Sequence, residues 1–137
     1  MSLSVIVLGA TGLVGRTMLR ILAERDLPIR ELRPLGRDRN TPRSIEFGGV
    51  SIPVEPVSPE AFAGADLALF ACANAVSREW APVARLAGVT VVDNSSAFRY
   101  DDEIPLVVPE VNGALLDADP LLVANPNCST IALVVAL

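Results

Sequence analysis

Ser4–Leu8 (SVIVL) is a short, mostly β-branched apolar run that stops at a glycine. Gly9-Ala-Thr-Gly12-Leu-Val-Gly15 follows, and then a helical pattern begins. An uninterrupted apolar run of this length predicts a strand buried on both faces. Glycines at the turn let the backbone reverse tightly and let a pyrophosphate approach it. The helix start then offers unpaired N–H groups at the positive end of its dipole. The spacing is G-x-x-G-x-x-G rather than G-x-G-x-x-G, so an ordinary strand-to-helix turn is the alternative. Its place after the first strand favours dinucleotide binding.

The rest of the chain alternates in the same way. Val14, Met18, Ile21 and Leu22 form the expected apolar stripe of the first helix, with Arg16, Arg20 and Glu24 off it and Pro28 beyond its end. A second strand is expected near Glu31–Leu35. Ile45–Phe47 and Val50–Val54 flank Gly48-Gly49, a hairpin signal. Ser58–Gly64 reads as a short helix, with an N-cap serine, proline in the first turn and a closing glycine. Asp66–Ala71 predicts a buried strand, Ser77–Ala87 a helix stopped by Gly88 and kinked at Pro82, and Thr90–Val92 a strand. Leu106–Val108 and Leu121–Ala124 are further strand candidates. Ile131–Leu137 reads as a buried helix just begun, without a stop signal. A helix of about two turns is marginal alone, so the sequence is expected to continue into a larger protein. Apolar strands alternating with helices predict an α/β fold: a Rossmann-like, doubly wound, mostly parallel sheet occupying residues 1–137 as one incomplete domain.

Composition narrows the chemistry. The 137 residues contain no His, so no Ser-His-Asp or Cys-His pair and no His-ligated metal site can be built within the chain. All 11 basic residues are Arg, which removes a Schiff-base or phosphate-loop lysine. Cys72 and Cys128 form no C-x-x-C, and two thiols do not make a zinc site, so no metal is expected. The net charge of -5 argues against a nucleic-acid partner. The apolar run Leu67–Ala73 is far short of the roughly 18–20 residues of a membrane helix. The N-terminus lacks the basic segment of a signal peptide. These features lead us to expect a cytoplasmic, soluble protein without membrane contact.

Three motifs carry candidate chemistry. At the end of the second strand, Gly36-Arg37-Asp38-Arg39-Asn40 holds two Arg suited to a 2′-phosphate, which favours NADP. Asp38 is the contrary sign, since an acid there can bind NAD ribose. Cys128 follows a strand and opens a helix, where the dipole favours an anion, and a thiolate is the nucleophilic form of cysteine. Asn127 and Ser129 are capping-type residues beside it. The alternative is a small buried thiol, which is also the reading for Cys72. Finally, Asp93-Asn94-Ser95-Ser96 gathers polar groups after a strand, and Arg99 is either an anion ligand or a partner of Asp101 or Asp102.

Together, GATGLVG (9–15), DNSSAFR (93–99), PLVVPEVN (105–112) and NPNCST (125–130) resemble the N-terminal part of aspartate-semialdehyde dehydrogenases, and the resemblance runs over the whole chain. A sister family, N-acetyl-γ-glutamyl-phosphate reductase, carries Gly-Cys-Tyr where this chain has Asn127-Cys128-Ser129. The resemblance implies reductive dephosphorylation of L-aspartyl-4-phosphate, a small-molecule substrate, through a thioester on Cys128. It implies NADP held by Gly9, Thr11, Gly12, Leu13, Val14, Arg39, Asn40 and Ala73, and substrate held by Arg99 and Asn127. The family often has Ser at the positions of Arg37 and Asn40, and Ser-Ala-Gly at Ala71-Cys72-Ala73. Its catalytic His, further substrate ligands and most of its homodimer interface lie after the nucleophile, in a second domain. A dinucleotide-binding module without turnover is the competing reading.

Overall fold

The computed structural model describes residues 2–37 and 44–137. Its strands are β1 (Leu3–Leu8), β2 (Ile29–Gly36), β3 (Ser44–Phe47), β4 (Val50–Pro53), β5 (Glu55–Pro56), β6 (Leu67–Phe70), β7 (Thr90–Asp93) and β8 (Leu122–Ala124). Its helices are α1 (Leu13–Glu24), α2 (Asn74–Leu86), α3 (Pro109–Asn112) and α4 (Cys128–Ala136). Six strands form one sheet in the order β5-β2-β1-β6-β7-β8, every pair parallel. The chain leaves β1 toward β2 and later returns to its other side at β6. The order of connection therefore reverses between β1 and β6, where open α/β sheets bind ligands. The fold is Rossmann-like α/β, and the β3–β4 hairpin lies outside the sheet as a separate antiparallel pair.

Alternate residues of β1 feed two cores. Val5 and Val7 pack with Ala10, Leu19, Leu22, Leu32 and Ile45, beneath α1 and the hairpin. Ile6 and Leu8 pack with Phe62, Phe70, Val76, Ala81 and Val91, beneath α2. Burial on both faces is why β1 reads as continuously apolar rather than alternating.

Several local expectations need correction. The buried stripe of α1 is Gly15, Leu19 and Leu22, whereas Val14 and Ile21 are 43% and 37% exposed. The cause is Gly15, which presses against Gly9. That contact sets the rotation of α1, and residues four and seven further on point inward with it. Ser58–Gly64 holds only a single 3₁₀ turn, Pro59–Phe62, and the Ser58 side chain caps nothing. Helix α2 starts at Asn74, three residues before the expected Ser77. Leu106–Val108 is not a strand. Leu106 makes one bridge to Ala124, and the prolines at 105 and 109 lack the N–H groups that would extend it. Helix α4 is apolar as expected but has no buried residue.

Candidate active site

The glycine loop is fixed by packing at two of its three glycines. Gly9 has φ +87°, and a Cβ there would stand 2.3 Å from the Ala71 carbonyl oxygen. A Cβ on Gly15 would stand 2.2 Å from the Gly9 oxygen. Gly12 differs. Its φ is -74°, and the only neighbour its Cβ would meet is the Gly9 oxygen at 3.4 Å. Neither conformation nor packing demands glycine there, so the bare backbone leaves room for a group above the loop. Gly12 is the N-cap of α1 and places no side chain on the first-turn amides. Those of Leu13 and Val14 are donors that a helix leaves without internal partners, and Leu13 stands 85% exposed beside them. Thr11 is half-exposed, and its carbonyl accepts from Arg16 Nε at 3.0 Å. A cradle of this kind fits a dinucleotide pyrophosphate.

Ala73 is exposed and forms the N-cap of α2, on the facing side of the β1–β6 crevice. Arg37, at the end of β2, is exposed. Asp38, Arg39 and Asn40 lie outside the described residues.

Cys128 is exposed at the first position of α4, so the buried-thiol alternative does not describe it. Asn127 caps this helix, its Oδ1 accepting from the Ser129 N–H at 2.9 Å. Arg99 donates from Nε to the Asn125 carbonyl (2.9 Å) and from Nη2 to the Asn94 carbonyl (3.0 Å). It forms no ion pair with Asp101, Asp102 or any other described acid. Its anchor Asn125 lies three residues before Cys128. Cys72 is half-buried, with Sγ 3.4 Å from Ser77 Oγ. Burial pushes this thiol above its ordinary range, the Ser77 contact opposes that, and the nearby Asp93 charge adds to the rise.

A polar network joins the two halves of the site. The fully buried Asp93 carboxylate accepts from Ser77 Oγ (2.8 Å), Ser95 N (3.1 Å) and Ser95 Oγ (2.7 Å). Asn74, opening α2, exchanges two bonds with Ser96: Nδ2 to Oγ at 2.8 Å, and Ser96 N to Oδ1 at 3.0 Å. Sequence reading missed Asn74, Ser77 and Asn125. The available signal was position: Asn125 lies one residue past β8, and Asn74 and Ser77 fall in the first turn of the helix that follows β6.

A family model described as "Semialdehyde dehydrogenase, NAD binding domain" matches residues 4–118. The chain belongs to this family. The semialdehyde dehydrogenase domain is similar to the aspartate-semialdehyde dehydrogenase of Prochlorococcus marinus, 45% identical over 135 residues that make up 98% of this chain and 39% of that protein. The crystal structure of Vibrio cholerae aspartate semialdehyde dehydrogenase II complexed with ASA superposes with a TM-score of 0.94 at 44% identity, covering 100% of this chain and 45% of that one. The Candida albicans enzyme with NADP shares the fold, with a TM-score of 0.82 at 22% identity, over 97% of this chain and 45% of that one. The domain thus spans less than half the length of these relatives. No described helix is long and apolar enough to cross a membrane.

Proposed function

We propose that residues 1–137 are the cofactor-binding part of an NADP-dependent aspartate-semialdehyde dehydrogenase, acting on L-aspartyl-4-phosphate in cytoplasmic amino-acid biosynthesis as a homodimer. The observation that carries this reading is an exposed thiol at the start of α4, three residues after Asn125, whose carbonyl together with that of Asn94 holds an arginine unpaired with any described acid. The semialdehyde dehydrogenase family and its similar relatives support it.

In this reading Cys128 Sγ attacks the acyl carbon, the C–O bond to phosphate breaks, and phosphate leaves with the bonding pair. A thioester remains on the protein. Arg99 binds the phosphoryl oxygens before departure and stabilises the charge they take away. A reduced nicotinamide cofactor, when bound, supplies the hydride. The tetrahedral adduct on Cys128 then collapses, releasing the aldehyde and returning the electron pair to sulfur. Gly9, Thr11, Gly12, Leu13 and Val14 hold the pyrophosphate, and Ala73 lies across the crevice from them. The preference for the 2′-phosphorylated cofactor is assigned to Arg37, Arg39 and Asn40. Asn127 serves as cap through Oδ1 and retains Nδ2 for substrate. The chain has no His, so the catalytic His that the family implies is not among these residues. The capping bond from Ser129 N to Asn127 also favours this reading over the sister reductase, since the glycine of Gly-Cys-Tyr has no side chain to make it.

The test pairs a binding measurement with a covalent one. The 137-residue chain should bind NADP more tightly than NAD, and aspartyl phosphate should add a thioester mass at Cys128 that is lost in Cys128→Ala. It should show negligible phosphate-dependent production of NADPH from aspartate semialdehyde. Absence of dinucleotide binding, or an adduct that persists in Cys128→Ala, would overturn the assignment.

A further inference from the structure

Asn94 and Asn125 occupy matched positions one step past the ends of β7 and β8, whose last paired residues are Asp93 and Ala124. The Asn125 N–H donates to the Asp93 carbonyl at 2.8 Å, which carries the ladder past the strand ends. Across the same gap Asn125 Nδ2 donates to Asn94 Oδ1 at 2.7 Å. The carbonyl of each residue accepts one bond from Arg99. The side chains of this pair are thus tied together, and their carbonyls converge on one guanidinium.

Nε and Nη2 form the side edge of an arginine fork, and both are used here on main-chain oxygens. The end edge, Nη1 with the second hydrogen of Nη2, remains a two-donor fork matching two oxygens of a phosphoryl group or carboxylate. Its direction depends on the separation of the two carbonyls, to which the side-chain hydrogen bond between Asn125 and Asn94 adds a restraint beyond the backbone ladder. We infer that the Asn94–Asn125 amide pair is a positioning clamp that aims the free edge of Arg99 at an oxyanion delivered to Cys128. The inference rests on the proposed function and adds two positioning residues to it.

Site-resolved alkylation of the 137-residue chain tests the clamp, with the Cys128 peptide followed by mass spectrometry so that Cys72 does not confuse the rate. In the unmodified chain, anionic iodoacetate should gain on neutral iodoacetamide relative to a free thiol, and inorganic phosphate should remove that gain. Asn125→Ala and Asn94→Ala should each lower the iodoacetate advantage about fivefold, as expected for loss of one hydrogen bond. The double variant should do no more than either single one, because both cut the same bond. The iodoacetamide rate should stay unchanged. Retention of the charge preference in both single variants, with Arg99→Ala abolishing it, would overturn the clamp and leave the proposed function standing. Additive effects would also overturn it, as would unfolding of both variants, which would mark a structural bond only. If the unmodified chain shows no charge preference and no phosphate protection, it is the proposed role of Arg99 that fails.

Discussion

Gly15 packs against Gly9 so closely that a methyl group on Gly15 would stand 2.2 Å from the Gly9 carbonyl oxygen. The obstacle is backbone, so it cannot swing aside as a side chain would. Gly15→Ala should destabilise the domain by about 3 kcal/mol, at the upper end of overpacking costs, measured as a shift in the urea midpoint.

Gly12→Ala makes the contrasting prediction. Space is available for the methyl group, so the stability loss should stay near 1 kcal/mol, the cost of a poorer N-cap. Dinucleotide affinity should fall by about tenfold or more, roughly 1.4 kcal/mol, by titration of bound cofactor. Unchanged affinity would mean that the cradle above Gly12 is not a ligand site.

The two thiols should separate cleanly in reactivity. Cys128 is exposed, while Cys72 is half-buried and its thiol is pushed up by burial. Iodoacetamide at neutral pH should label Cys128 first. Labelling of Cys72 should become appreciable only as the pH rises past the ordinary thiol value of 9.0. Mass spectrometry over a pH series reads both rates, and equal rates at neutral pH would contradict the structure.

Asp93→Asn should destabilise by about 2–3 kcal/mol. The carboxylate accepts three bonds in a fully buried position, and an amide there offers only one acceptor oxygen to these three donors. Loosening of the 93–99 loop should follow, visible as faster amide exchange at Ser95 and Ala97.

Glu31 provides a pH-dependent term. Its bond from Arg33, then that from Ser4, holds the carboxyl below its ordinary value of 4.5. A depressed folded-state value means that the stabilisation is present above the unfolded value and disappears as the pH falls through the folded one. Glu31→Gln should therefore lower stability at pH 7 by less than about 1 kcal/mol, given the exposure of the pair. The difference should vanish in acid below the ordinary carboxyl range.

Much of the scaffold was legible in the residues because β1 is buried on both faces and its loop carries unavoidable glycines. The rotation of α1 was not legible. Val14, Met18, Ile21 and Leu22 make a sound stripe by spacing, but the Gly15–Gly9 contact that turns the helix exists only once strand and helix have packed. Leu106–Val108 looked like a strand because three apolar residues say nothing about hydrogen bonding, whereas the flanking prolines did. In the site, Cys128 and Arg99 could be picked out by residue type and position. The bonds that organise them join residues 16 and 31 positions apart, Ser77 to Asp93 and Asn94 to Asn125. No local pattern encodes such pairings, and only the strand order brings them together.

Helix α4 carries the thiol on its first residue and has no buried residue along its length. Short helices without tertiary cover fray readily, and fraying would release the first turn that carries the thiol. The thiol is therefore anchored on one side only, by the Asn127 cap and the end of β8. Any surface that came to rest on Ile131, Val134 and Val135, which share one face of α4, would steady the sulfur from a distance, making occupancy of that apolar face a control on how fast the thiol reacts.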